Sequence, residues 1–417
     1  EGLLLDLPAI AIDGLKGIGK TDSSKSIARS VFELDREQDR LMVFNDMSSL
    51  SKATPPVLVD EWQKIPAVWD FIRREVDEQK KAGYYLLTGS VSAKNLDVHS
   101  GAGRIVRMRM YPLSLQERGL DKASVSIDSL FSQKRPFSEP VSGETNVSFE
   151  EYLNEIALSG LPGLRIGQEK NRRLMIGSYL DNLLTHDFAQ EGVRIRQPRT
   201  LRKWLAAYAA AISTTTGYNE ILDAATPGEG NKPAAKTTIA YREVLGRLWL
   251  IDELMAWTDG ENYYSRLKKT PKHYLADTAF AIHLLGISMD SLLGKEGATV
   301  VNTRFDKAHG NIIGRLFEAL VYQSLKVYTS VNNAEISYFH TQNGDREIDF
   351  ILSRDSKTIA IEVKTAPFVD DADIRHLRWL KAEMGDALTD AAVITTGNLA
   401  YRTEDGIAVV PAALLGA

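Results

Sequence analysis

Residues 14–21 read Gly14-Leu15-Lys16-Gly17-Ile18-Gly19-Lys20-Thr21, fitting G-x-x-x-x-G-K-[ST] at every fixed position. The apolar run Ala9-Ile10-Ala11-Ile12 comes directly before it, and a helical pattern from Ser24 to Val31 comes after. Strand, glycine loop and helix in that order describe a loop whose backbone N–H groups curl around phosphate oxygens, with the helix adding the positive end of its dipole. In that reading Gly14, Gly17, Ile18, Gly19, Lys20, Thr21 and Asp22 surround the phosphates of a nucleotide. Lys20 reaches the β- and γ-phosphates, and the Thr21 hydroxyl ligates magnesium. A chance glycine-rich turn ahead of a helix is the competing reading, and the two flanks weigh against it.

Three more apolar runs follow within the first 120 residues: Val57-Leu58-Val59, Tyr84-Tyr85-Leu86-Leu87 and Ile105-Val106. Continuous β-branched and aliphatic runs separated by helical stretches predict a parallel sheet covered on both faces. The first run ends Asp60-Glu61. An Asp at a strand's C-terminal edge can hold magnesium, and Glu61 beside it is placed to orient and deprotonate an attacking water. An acidic pair after a strand is otherwise a common helix cap. The second run ends Thr88-Gly89-Ser90, where the Thr88 hydroxyl can sense a γ-phosphate or simply close a turn. Arg104, Arg107 and Arg109 follow, and we single out Arg104 as a candidate arginine finger acting in cis or in trans, against the plainer reading of arginine on a solvated strand edge.

These motifs resemble the bacterial and archaeal AAA-type ATPases that carry a C-terminal domain of unknown function (number 4143). The resemblance also takes in Leu58-Val59-Asp60-Glu61-Trp62-Gln63 with Pro66 and Trp69, His99-Ser100-Gly101-Ala102-Gly103-Arg104, and Pro112-Leu113-Ser114-Leu115-Gln116-Glu117. Further along it takes in Gly160-Leu161-Pro162, Tyr274-Leu275-Ala276-Asp277-Thr278 and Glu362-Val363-Lys364. It implies an α/β fold: an additional-strand P-loop ATPase, a winged-helix-like middle and a C-terminal nuclease-like domain. The chain departs from that pattern in beginning almost at its first strand, and in having Asp22 where a second Thr is usual. Helix N-termini tolerate Asp well.

The second half has its own signals. Serine-rich residues 121–148 with few apolar side chains predict a linker or mobile loop. Helical patterns at Pro198 to Ala211, Tyr218 to Ala225 and Lys236 to Trp249, then the strand-like Leu250 to Leu254, follow the winged-helix order. Lys236, Thr237, Thr238, Tyr241 and Arg242 stand where phosphate or base contacts would be made. Residues 192–203 hold Arg194, Arg196, Arg199, Arg202 and Lys203 and no acid. This is a candidate DNA-backbone patch, a solvated helix face, or the source of an arginine for the nucleotide. Glu318, Asp349 and Glu362-x-Lys364 occur in the order of the PD-(D/E)xK nuclease superfamily, which the region resembles. Alternation along a strand puts Glu362 and Lys364 on one face. Asp349 and Glu362 can then hold magnesium, Glu318 can tune the metal or hold a second one, and Lys364 can position the water. A salt-bridged strand pair, or a remnant domain used for binding, is the alternative.

Four segments are expected: an ATPase domain at 1–120, a linker at 121–148, a helical and winged-helix-like domain at 149–295, and a nuclease-like α/β domain at 296–417. The 417 residues suit roughly three domains of ~150. With 50 Lys and Arg against 55 Asp and Glu, the net charge of −5 excludes a globally basic nucleic-acid coat but not a local basic patch. The absence of cysteine excludes disulfides, thiolate nucleophiles and zinc-thiolate or iron–sulfur sites. The first residues lack a signal peptide's basic n-region, and no apolar run approaches the ~18 residues of a membrane span. We therefore expect a cytoplasmic ATPase using ATP and magnesium. DNA is its expected partner, it has no membrane segment, and it is a candidate homo-oligomer. An ATP-gated nuclease and a non-hydrolysing nucleotide-dependent binder are the alternatives.

Overall fold

Each apolar run in the first 120 residues becomes a strand; the runs at 9–13, 57–60 and 85–88 are buried almost throughout, whereas Val106 of the edge run is exposed. The computed structural model describes residues 2–89, 103–191, 198–226, 235–258, 269–295, 303, 305–341 and 345–417. Strands β1 (Ala9–Asp13), β2 (Ser30–Glu33), β3 (Val57–Asp60), β4 (Tyr85–Thr88) and β5 (Ile105–Arg109) form one parallel sheet in the order β2-β3-β4-β1-β5. β4 is thus inserted between the strand that feeds the glycine loop and the strand that ends in Asp60. Every residue of β3 and β4 is buried. Helix Ala67–Gln79 seals one face with Val68, Trp69, Ile72 and Val76, which recur at helical spacing.

The second sheet has seven strands. β10 (Glu335–His340), β11 (Glu347–Arg354), β12 (Lys357–Val363), β13 (Leu388–Thr395), β14 (Leu399–Arg402) and β15 (Ala408–Pro411) are joined by a short strand from far upstream, β7 (Gly143–Glu144). The order is β10-β11-β12-β13-β15-β14-β7. Helix Ile312–Val331 presents Leu316, Leu320 and Tyr328 to the large core, while helix Arg375–Met384 buries Leu377 and Leu380 in a second core with Ile348, Ile351 and Val393.

Residues 121–148 are not a linker. Ser126 caps helix Ile127–Phe131 through a reciprocal capping box with Ser129, and Ile127, Leu130 and Phe131 are fully buried. β6 (Val125–Ser126) pairs with β16 (Leu415–Gly416), and β7 pairs with β14. Ser126 and Ser129 cap that helix and the Ser138 hydroxyl closes a turn onto the Arg135 carbonyl.

Between the sheets, helices Pro198–Ala210, Tyr218–Ala225 and Ala235–Arg247 lead to a two-stranded antiparallel ladder of β8 (Ile251–Leu254) and β9 (Lys272–Leu275). This middle region shares one continuous core with the C-terminal sheet; Tyr152 meets Phe317 edge-on at 5.5 Å. The expected boundary at 295–296 abuts residues outside the described set. No described helix is long and apolar enough to cross a membrane.

Candidate nucleotide site and a buried acidic centre

β1 ends at Asp13 and the chain turns at once into the glycine loop. Gly14 (φ +151°) passes so close to the end of β5 that a Cβ would lie 2.6 Å from the Met110 carbonyl oxygen. Gly19 (φ +98°) caps helix Lys20–Lys25 in the left-handed region, which glycine enters without a Cβ penalty. Lys20, 5% exposed, donates from Nζ to the carbonyl oxygens of Gly14 and Leu15, each at 2.9 Å. Burial pushes its ammonium down to about 8, against the opposing pull of Glu61, Asp13 and Asp60. Asp22 is exposed in the first helical turn, where the helix dipole favours an acid.

Because β4 lies between β1 and β3, Thr88 is in register with both Asp60 and Ile12. The result is a convergence on one atom. The Thr21 hydroxyl donates to Asp60 Oδ1 at 2.8 Å, and the Thr88 hydroxyl donates to the same oxygen. A hydroxyl and a carboxylate side by side are hard oxygen donors, so this set fits magnesium. Glu33 and Asp35, absent from the sequence reading, bring ligand oxygens within 4.8 Å of each other and of Asp60. The pattern read as a helix over 24–31 hid them: the helix ends at Lys25 and β2 begins at Ser30, which sets Glu33 directly opposite Asp60. Glu61 holds φ +53°, uncommon for a residue with a Cβ, and accepts a hydrogen bond from Gln63 Nε2.

Arg104 is not at this site. It precedes β5, whose Ile105 is level with Ala9 at the sheet end remote from the loop, and its Nε donates to Asp77 at 2.8 Å. The strand's rise of ~3.3 Å per residue leaves about 13 Å between Ile105 and the loop end at Arg109. The arginines near the loop are Arg107, which donates to Asp13 at 2.9 Å, and Arg109, which pairs with Asp252 at 3.1 Å. Burial raises the Asp13 carboxyl above the ordinary range, although Arg107 works the other way.

The loop is roofed by the middle region. The Tyr179 hydroxyl donates to the Lys16 carbonyl at 2.9 Å, and Lys16 Nζ reaches Asp187 at 3.1 Å. A Cβ on Gly19 would lie 3.8 Å from Pro162. Leu15 and Ile18 are buried in the core of the middle and C-terminal regions rather than in the core around Val57, Val59 and Leu87. Nothing local in the sequence marks Tyr179 or Asp187 for this role.

Of the basic stretch, Arg194 and Arg196 lie outside the described residues. Arg199, Arg202 and Lys203 are exposed on helix Pro198–Ala210, and Arg202 pairs with Asp181. Thr238 and Tyr241 are not available for base contacts: both are buried, Tyr241 packing edge-on against Phe188. Arg242 stacks 3.5 Å over the Tyr218 ring.

The C-terminal acids do gather, but around a lysine. Lys272 on β9, 1% exposed, places Nζ 2.9 Å from Glu318 Oε1, 3.0 Å from Glu347 Oε1 and 3.0 Å from Asp349 Oδ1. Burial opposes its charge, yet Glu318, Asp349 and Glu347 together hold it well above the ordinary lysine range. The Tyr274 hydroxyl donates to Glu318 at 2.6 Å, and the Val363 N–H donates to Asp349 Oδ2 at 2.9 Å. Burial pushes Glu318 up to about 8. Asp349 is held low by Lys272 and Lys364, which outweigh its burial. Glu362 stands one step away, with Lys364 Nζ at 3.1 Å, its carboxyl raised by burial and by Asp349. Among the described residues, Glu318, Asp349 and Glu362 do not form a set of ligand oxygens within 4.8 Å of one another. Asp349 and Glu362 were expected to hold magnesium, with Glu318 tuning it or holding a second ion; in the structure Lys272, a residue the sequence reading passed over, stands between Glu318 and Asp349. Lys272 opens the short strand Lys272-His273-Tyr274-Leu275, every residue of which is buried.

Residues 6–119 match the AAA domain family, residues 149–291 match a domain of unknown function (DUF8612), and residues 313–415 match a second domain of unknown function (DUF4143). Two uncharacterised proteins, from Mycobacterium tuberculosis and Mycobacterium bovis, are each 24% identical over 415 residues, covering 97% of this chain and 80% of theirs. Among solved structures, a Walker-type ATPase of Pyrococcus abyssi is 15% identical with a TM-score of 0.36, covering 67% of this chain and 91% of that one.

Proposed function

We propose that this chain, an AAA domain joined to a C-terminal domain of the DUF4143 type, binds and hydrolyses magnesium-ATP and passes the nucleotide state to the region roofing its loop. The convergence of the Thr21 and Thr88 hydroxyls on Asp60, beside buried Lys20, carries the reading. Thr21 and Asp60 would hold the magnesium, with Glu33 and Asp35 close by. Bound there, magnesium would neutralise charge on the β- and γ-phosphates. Lys20 would exchange two carbonyl partners for phosphate oxygens, a stronger charge-assisted contact. Thr88, already bonded to Asp60, would register the γ-phosphate, and Glu61 would orient the attacking water and accept its proton. Arg104 faces away from its own loop, so an arginine finger at that position would act on a neighbouring copy.

Coupling follows from who holds the loop. Tyr179 and Asp187 bond to Lys16, and Pro162 stands over Gly19, so any shift of the loop on nucleotide binding moves their partners too. DNA remains a proposed partner through exposed Arg199 and Lys203 and the basic residues before them. The test is the steady-state ATPase rate of the wild-type chain and of Lys20→Ala, measured against chain concentration with and without DNA. Unchanged hydrolysis by Lys20→Ala would sink the ATPase reading. A rate per chain that rises with concentration supports an arginine donated between copies.

A further inference from the structure

A divalent metal at the acidic centre needs carboxylate oxygens that can turn toward it, and most of those oxygens are already engaged. An ammonium has three N–H donors, and Lys272 Nζ has three carboxylate oxygens within ion-pair distance, donating a hydrogen bond to Asp349 Oδ1 at 3.0 Å. Asp349 has both oxygens committed, one to Lys272 and one to the Val363 N–H. Glu318 Oε1 also accepts from Tyr274. The remaining buried oxygen with no hydrogen-bond partner is Glu362 Oε1, and His376 Nδ1 stands 3.8 Å from it. Lys272 has little room to withdraw: it is 1% exposed, β9 is zipped to β8, and the Phe350 ring lies 6.0 Å from Nζ.

We infer that Lys272 Nζ is the resident cation of this centre, occupying the position a divalent metal would need, so that the DUF4143 region of this chain holds a latent rather than a working metal site. The same ammonium ties β9 of the middle region to helix Ile312–Val331 and to β11, so it joins two regions as well as blocking the metal. Lys364, paired with Glu362, is left with no metal-bound water to position. The inference does not depend on the ATPase reading, since none of these residues touches the glycine loop.

Manganese binding to the full nucleotide-free chain, followed by loss of the free-ion electron paramagnetic resonance signal, tests it. Asp349→Asn isolates this centre from any ion held near Asp60. Wild type and Asp349→Asn should bind the same number of ions per chain. Lys272→Met, which keeps the aliphatic stem and removes the charge, should gain one ion per chain, and Lys272→Met/Asp349→Asn should return to the wild-type number. A wild-type site lost in Asp349→Asn would overturn the inference. So would manganese-dependent plasmid cleavage by wild type that Asp349→Asn abolishes, or a folded Lys272→Met that gains nothing. If circular dichroism shows Lys272→Met unfolded, the comparison of wild type with Asp349→Asn decides.

Discussion

Asp60 concentrates the candidate chemistry in one oxygen atom, shared by hydroxyls from two other elements. Replacing it with Asn keeps the shape but gives Thr21 and Thr88 a neutral acceptor and removes a metal-ligand charge. Asp60→Asn should lower kcat on the order of a hundredfold or more while leaving the thermal midpoint within a few degrees, as steady-state hydrolysis and a melt would read. Lys20 gives a pH prediction. Its folded-state value, near 8, lies below that of an exposed lysine, so the unfolded chain holds more protons between about 8 and 10.5. Lys20 therefore costs the nucleotide-free fold stability below that window and the cost fades as pH rises through it. ATP favours the charged form, so binding at pH 8.5 should take up a fraction of a proton and weaken as pH climbs further. Calorimetry in two buffers of different ionisation enthalpy would measure the uptake, and Lys20→Met should abolish it. The loop's place between strand and helix was legible in sequence because it depends on spacing within a short segment. The choice of arginine was not, because the register of β5 against β1 decides which one nears the loop. Lys272 was harder still: its partners are on a helix and strand that follow it by many residues, and no local pattern pairs them.

At the level of elements, the strands were plain wherever burial on both faces gave an apolar run, as in β3, β4 and residues 391–394 of β13. The segment 121–148 was misread because its structure depends on a few anchors in a polar background. Phe131 is fully buried, and its carbonyl accepts from Lys357 Nζ at 2.7 Å. Arg402, bonded through both terminal nitrogens to buried Asp390, donates from Nε to the Glu139 carbonyl at 2.6 Å. A true linker would tolerate truncation here. Phe131→Ala should instead cost about 3 to 5 kcal/mol of unfolding free energy in a denaturant titration. Composition cannot distinguish a serine that caps a buried helix from one in a solvated tether. The middle helices show the converse error: the sequence order was right, but Thr238 and Tyr241, proposed to face a partner, are committed to the interior.

Across the whole molecule, the packing cores rather than domain edges decide what can stand alone. The ATPase sheet has its own core, but Leu15 and Ile18 of its glycine loop belong to the large core of the middle and C-terminal regions. Residues 1–120 expressed alone would expose both and lose the Tyr179 and Asp187 contacts to Lys16. That fragment should bind ATP at least tenfold more weakly than the full chain in a fluorescent-nucleotide titration, or precipitate, and equal affinity would contradict the arrangement. The roof over the loop also limits how such a chain can change over evolutionary time. A cassette exchange at residue 120 would graft the ATPase sheet onto a neighbour with no recess shaped for Leu15 and Ile18 and no hydroxyl for the Lys16 carbonyl. Loop and roof therefore have to be inherited as a pair. Drift in one should be answered by compensating change in the other, even though more than 140 residues of chain separate them.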